Sequence, residues 1–247
     1  MALEHTVKSY DEELQRLNNT IIEMGGLAET QIAAATEAVM KRNSELAAVV
    51  IETDARVDKL EADIGTLAVR LLALRQPMAR DLREVLAALK IAGDIERICD
   101  YAANVAKRSI ALKHTPPAEP IFALPRMANL ARGLTKDVID AYVARDADKA
   151  LIVWARDEEL DEMYSGLFRE LLTYMMEDPR NIAASTHLLF VAKNIERIGD
   201  HATNIAETVY FLVHGTPLTQ ARPKGDRSMS MLAPPLAASV ARGVERS

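Results

Sequence analysis

One cysteine, Cys99, is all the thiol chemistry in 247 residues. No intramolecular disulfide can form, and this usage fits a reducing compartment. Nowhere do eighteen apolar residues run together, so no membrane-spanning helix is expected. The opening MALEHTVKSYDEE has no apolar core and turns acidic early, which argues against a signal peptide and for a cytoplasmic protein. Basic excess is also missing: thirty Lys and Arg against thirty-six Asp and Glu leave a formal charge of −6. A protein built to grip a nucleic-acid backbone would carry a strong basic stripe, so no nucleic-acid partner is expected. Aromatics are only 4% of the residues, while hydrophobic residues are 49%. Ala, Leu, Ile and Val must therefore build the core, and abundant Ala favours helix over sheet. No Gly-x-x-x-x-Gly-Lys loop and no nucleophile elbow occur, and we find no catalytic machinery.

What is present is helical periodicity punctuated by proline. Tyr10, Leu14, Leu17, Ile21, Met24 and Ala28 alternate steps of four and three, which makes one stripe on a helix face. A second stripe runs Leu46, Val50, Thr53, Val57, Leu60, Ile64, Leu67, Leu71, Leu74. The third reads Ile91, Ile95, Ile98, Ala102, Val105, and its counterpart in the second half starts at Val191 and ends at Leu212. Proline-free runs between Pro77, the Pro116–Pro125 group, Pro179 and Pro217 predict six helices, over 5–41, 44–75, 79–113, 122–145, 148–177 and 180–213. Asn43-Ser44 and Asp146-Ala147-Asp148 supply N-caps after short loops.

An internal repeat divides the chain. Asp94-Ile-Glu-Arg-Ile-Cys-Asp-Tyr-Ala-Ala-Asn-Val-Ala106 and Asn194-Ile-Glu-Arg-Ile-Gly-Asp-His-Ala-Thr-Asn-Ile-Ala206 agree at eight of thirteen positions, one hundred residues apart. Upstream, Asp54-x-x-Val-Asp58 is echoed by Asp157-x-x-Leu-Asp161. The expected fold is all-α: two tandem three-helix bundles related by an internal repeat. We place the first bundle at 1–115 and the second at 116–214, with a hinge at His114-Thr115-Pro116-Pro117. Residues 215–247 form the tail, where the apolar rhythm fails. The tail holds five basic residues against two acids. Its composition reads as a disordered terminus, and its charge as a cationic segment that touches a partner or an anionic surface.

Each repeat carries Glu-x-x-x-Asp-x-x-x-Asn: Glu96, Asp100, Asn104 and Glu196, Asp200, Asn204. Side chains four apart stack on one helix face, so each set forms an acidic ladder one position after the apolar stripe, at the core margin. Asp54, Asp58 and Asp161 likewise each follow a seam residue. Clustered carboxylates repel and call for a cation, either a bound metal or an arginine. Arg97 and Arg197 adjoin the ladders but point about 100° further round the helix, toward another surface or a neighbouring helix. Dinuclear carboxylate enzymes built on bundles use Glu-x-x-His pairs, whereas Cys99 and Gly199 stand three after each glutamate here. Cys99 is expected to be a small buried side chain, His201 a core-edge or solvated histidine, and Met175 and Met176 packing residues.

Several motifs together resemble the PhoU family of phosphate-specific transport accessory proteins. They are Arg75-Gln-Pro-Met-Ala-Arg-Asp-Leu-Arg83, the paired Ile-Glu-Arg-Ile-x-Asp segments, Thr173-Tyr-Met-Met-Glu-Asp-Pro179 and Met24-Gly25-Gly26. The resemblance runs from about residue 8 to 214 and leaves the tail outside. It implies a homodimer of paired three-helix bundles and a non-enzymatic negative regulator of phosphate uptake and of the phosphate-starvation (Pho regulon) response. Its implied partners are the ATPase subunit of the high-affinity phosphate ABC transporter and a phosphate sensor histidine kinase, with membrane contact only through those partners. It further implies that Asp54, Asp58, Glu96, Asp100, Asp157, Asp161, Glu196 and Asp200 are metal ligands, with Asn104 and Asn204 as supplements. Iron, zinc or another divalent cation is the expected cofactor. The rival expectation is a metal-storage or metal-dependent carboxylate-bundle protein.

Overall fold

The computed structural model describes residues 2–113, 115, 122–220 and 222, with side chains from Tyr10 onward. Among the described residues there are six α-helices and no strand: α1 Ala2–Lys41, α2 Ser44–Arg75, α3 Ala79–Leu112, α4 Leu124–Ala144, α5 Ala147–Glu177 and α6 Ile182–His214. A 3-10 turn at Pro179–Asn181 precedes α6, so that helix starts two residues later than its sequence pattern suggests. Pro179 cannot donate a backbone hydrogen bond, and Asp178 accepts from the Arg180 amide instead. The expected hinge lies mostly outside the described residues.

The repeat extends to the corners. Asn43 caps α2 by accepting from the amides of Glu45 and Leu46, and Asp146 caps α5 by accepting from the Lys149 amide. Just before each cap, Arg42 and Arg145 adopt left-handed backbone at φ 51° and 53°. The Asn43 and Asp146 amides then reach back to the carbonyls of Ala38 and Ala141, closing α1 and α4 in the same way.

α1, α2 and α3 pack as one bundle and α4, α5 and α6 as the other, with α3 against α6 and α1 against α4 joining the two. The stripes face inward: Leu17, Ile21, Met24, Val50, Val57, Ile64, Leu71, Ile91, Ile95 and Ile98 are all buried. Leu74, at the end of its stripe, is 69% exposed, because the α2–α3 corner leaves the core there. Met176 is exposed as well, contrary to the packing role expected of it, while Tyr174 in the same turn packs against the core and Met175 is half-buried.

α3 and α6 run antiparallel. His201 Nδ1 lies 2.7 Å from Asp94 Oδ1, Arg197 donates to the Tyr101 hydroxyl at 3.2 Å, and Arg108 stacks over the Phe190 ring. Arg197 thus serves the neighbouring helix, as its position on α6 suggests. His201 is a half-buried tether between bundles and not part of an acidic ladder. On the second interface Gly25 lets α1 approach α4, since a Cβ there would lie 3.0 Å from Ile139 Cγ1. Buried Glu84 of α3 ties the halves further by pairing with Arg145, and it also accepts from Asn18 of its own bundle.

Candidate functional site

The acidic residues form two ledges, one per bundle. In the first, Asp54 and Asp58 come from α2, and Glu96 and Asp100 from α3. The Asp54 carboxyl is half-buried, and its Oδ1 is buried with no hydrogen-bond partner. Burial, then the neighbouring charges of Asp100 and Asp58, push its pKa up to about 6, with Lys107 opposing. Burial and Asp100 also raise the pKa of Glu96. Asp58 is exposed.

Arg97 does not point away as helix geometry alone suggests. Its guanidinium folds back to lie 3.5 Å from Glu96 and 3.3 Å from Asp100. A long, flexible stem lets a mostly solvated arginine swing toward the strongest local negative potential.

The second ledge is buried where the first is open. Asp157 is 1%, Glu196 4% and Asp161 5% exposed, so three of its four carboxylates lie inside the core and not at its margin. For Asp157, one residue on α6 makes the room. A Cβ on Gly199 would lie 2.5 Å from Leu160 Cδ2 and 2.8 Å from Asp157 Oδ1. The missing side chain is the space that Leu160 and Asp157 occupy. In the first bundle Cys99 fills the matching place and is fully buried, and the repeat's counterpart of Leu160 is the smaller, buried Val57. Small-plus-large in one half is exchanged for larger-plus-smaller in the other, and only the first arrangement draws its aspartate inward.

Burial raises the pKa of Glu196 to about 7, although Lys193 donates to its Oε1 at 2.8 Å; Asp200 adds to the rise. Its Oε2 is buried with no partner. Asp157 is also raised by burial, despite a cation beside it. That cation is Arg222, from beyond α6. Its Nε donates to Asp157 Oδ2 at 3.1 Å, one Nη pairs with the same oxygen, and the Nη–Asp200 Oδ1 distance is 2.7 Å. Sequence reasoning missed this residue. The signal lay in the cationic tail: the anionic surface that Arg222 meets belongs to its own chain.

The structure thus brings all eight expected ligands to two ledges of four, each shared by the second and third helices of its bundle. Asn104 accepts from Lys107, and Asn204 donates to Asp94 across the bundle interface. Among the described residues no group of three or more His, Cys, Asp or Glu side chains is arranged to hold one metal ion. The donor chemistry nonetheless fits: carboxylate oxygens suit a hard or borderline cation, and Asp54 and Glu196 each keep a buried oxygen unpartnered. Side-chain rotation would be needed before any ledge enclosed an ion.

Two three-helix bundles joined by internal symmetry, each with a carboxylate ledge across its second and third helices, define a duplicated helical protein whose sites suit cations. The PhoU domain matches the chain twice, at residues 21–109 and 124–209. The chain belongs to the PhoU family. It is 53% identical to a phosphate-specific transport system accessory protein PhoU homolog of Caulobacter vibrioides, over 90% of this chain and 97% of that one. A homolog of the same description from Zymomonas mobilis is 48% identical over 93% of this chain and 95% of its own. The crystal structure of PhoU from Pseudomonas aeruginosa superposes with a TM-score of 0.81 at 39% identity, covering 84% of this chain and all of that one. The phosphate transport system regulatory protein PhoU from Streptococcus pneumoniae gives 0.79 at 29% identity, over 85% of this chain and 100% of its own. No described helix is long and apolar enough to cross a membrane.

Proposed function

We propose that this chain is a cytoplasmic, non-enzymatic accessory protein that restrains phosphate uptake and the phosphate-starvation response. The observation that carries this reading is the unbroken relationship to phosphate transport accessory proteins over both bundles. The protein acts as a homodimeric adaptor between the ATPase subunit of the phosphate ABC transporter and a sensor histidine kinase. Rigid bundles suit that role, because an adaptor transmits a partner's state only through a difference in affinity between states. Deleting the gene should raise phosphate-regulated reporter expression in phosphate-rich medium. An unchanged reporter would sink the proposal.

We also propose that the two ledges bind iron, zinc or another divalent cation through Asp54, Asp58, Glu96 and Asp100 and through Asp157, Asp161, Glu196 and Asp200. Burial, and then the neighbouring carboxylates, raise the pKa values of Asp54 and Glu196, and a divalent ion would offset both by supplying positive charge beside them. Elemental analysis of the untagged protein beside its Glu96/Asp100/Glu196/Asp200→Ala variant tests this. Stoichiometric metal should be present in the parent and missing from the folded variant. A parent that stays metal-free after reconstitution would refute it and leave the adaptor role standing.

A further inference from the structure

The segment after α6 makes a contact that nothing in the repeat requires. Gly215, at φ 76°, ends α6 with its amide bonded to the Phe211 carbonyl, and the chain turns back. Pro217 and Leu218 then line a groove of about 760 Å3 between α3 and α6, which Lys90, Asp94, Glu96 and Arg97 also border. Arg222 follows, its guanidinium held between Asp157 of α5 and Asp200 of α6.

This is a built contact. Asp157 is buried, the Arg222 side chain is only 17% exposed, and one aspartate oxygen accepts from both Nε and an Nη. Beside them, the almost fully buried Glu196 aims an oxygen that has no partner. The ledge therefore holds one guanidinium and has acceptor capacity to spare. Arg222 is bonded to Oδ2 of Asp157, so a divalent ion drawing on that carboxylate would share it with a guanidinium, and two cations on one carboxylate repel.

We propose that the second ledge is an arginine-binding site that the chain fills with its own Arg222, and that a divalent cation enters only by displacing it. Displacement lifts Pro217 and Leu218 from the α3–α6 groove, whose far wall carries Glu96 and Arg97 of the first ledge. Ion occupancy at one bundle would in this way alter a surface shared by both. The arginine site stands on the contact itself; only the displacement step rests on the cation reading above.

Full-length protein labelled with 15N-arginine tests both parts. A docked guanidinium should give a slowly exchanging Nε–H resonance that vanishes in Arg222→Lys and exchanges rapidly in Asp157→Asn. Added zinc should abolish that resonance as it binds. With the first ledge silenced by Glu96→Ala and Asp100→Ala, Arg222→Gln should bind zinc roughly tenfold more tightly than the chain that retains Arg222, because the competing docked state is gone. An Nε–H exchanging as fast as that of a surface arginine would overturn the site. A protected resonance that persists with zinc bound, or equal zinc affinity with and without Arg222, would overturn the displacement. Zinc binding to neither protein would refute the cation reading, while a protected Nε–H would still uphold the arginine site.

Discussion

The two ledges share a motif and differ in environment. In the first, Asp54 is half-buried, Asp58 is exposed and Arg97 supplies a mostly solvated counter-charge. In the second, Asp157, Asp161 and Glu196 are inside the core, and the counter-charge is a half-buried arginine from outside the repeat. Duplication therefore preserved the carboxylates and changed their dielectric surroundings. A charge shielded by water can wait for a ligand at little cost, whereas a buried one demands a partner or a proton. The difference teaches that identical ligand spacing does not give identical sites.

The largest expected effect is on pH dependence. In the folded protein Glu196 keeps its proton up to about pH 7, whereas its ordinary pKa of 4.5 applies once the chain unfolds. Between those values the native state binds the extra proton, so the stability that Glu196 contributes is fully present below 4.5 and is lost as pH rises through about 7. A shift of this size corresponds to a loss on the order of 3 kcal/mol. Glu196→Gln should remove this contribution from thermal melts recorded from pH 5 to 8 and leave that of Asp54. Glu96→Gln, at the more solvated ledge, should remove much less. Equal slopes for the two variants would break the comparison.

Packing comes next. Replacing a helical glycine by alanine ordinarily stabilises a helix by about 1 kcal/mol. At Gly199 the sign should reverse, because the new Cβ would meet Leu160 and Asp157 well inside contact distance. We expect Gly199→Ala to cost about 2 kcal/mol by denaturant titration. Adding Leu160→Val, which copies the first bundle, should recover part of the loss. A double variant no better than the single one would show that the Cys99–Val57 and Gly199–Leu160 pairs are not equivalent solutions.

The smallest effect is at the exposed counter-charge. Arg97 is 58% exposed, so Arg97→Gln should change stability by less than about 0.5 kcal/mol. A larger loss would mean that the first ledge is as tightly held as the second, and would erase the contrast.

Much of this molecule was legible from residue order. The proline-free runs and the alternating steps of four and three within them located all six helices, and Asn43 and Asp146 cap where their side chains said they would. The repeat marked both acidic ladders and paired Asp54 with Asp157. Periodicity is local, so a linear pattern carries it faithfully. Placement at the core margin was right for the first ladder and for Asp200 and Asn204 of the second, and wrong for Glu196, because depth depends on how closely the helices approach one another. The direction of Arg97 failed for a related reason: helix geometry fixes where a Cβ points, and a four-bond stem can turn back from there.

Sequence by itself determined the helices, their caps, the twofold repeat and the identity of the eight carboxylates, since each follows from spacing along one chain. Only the tertiary structure decided which ledge is dry and which cation answers it. Those outcomes rest on one absent Cβ at Gly199 and on Arg222 meeting Asp157 from 65 residues away in sequence. Burial and long-range charge pairing are properties of distances between helices, and no spacing within a helix encodes them.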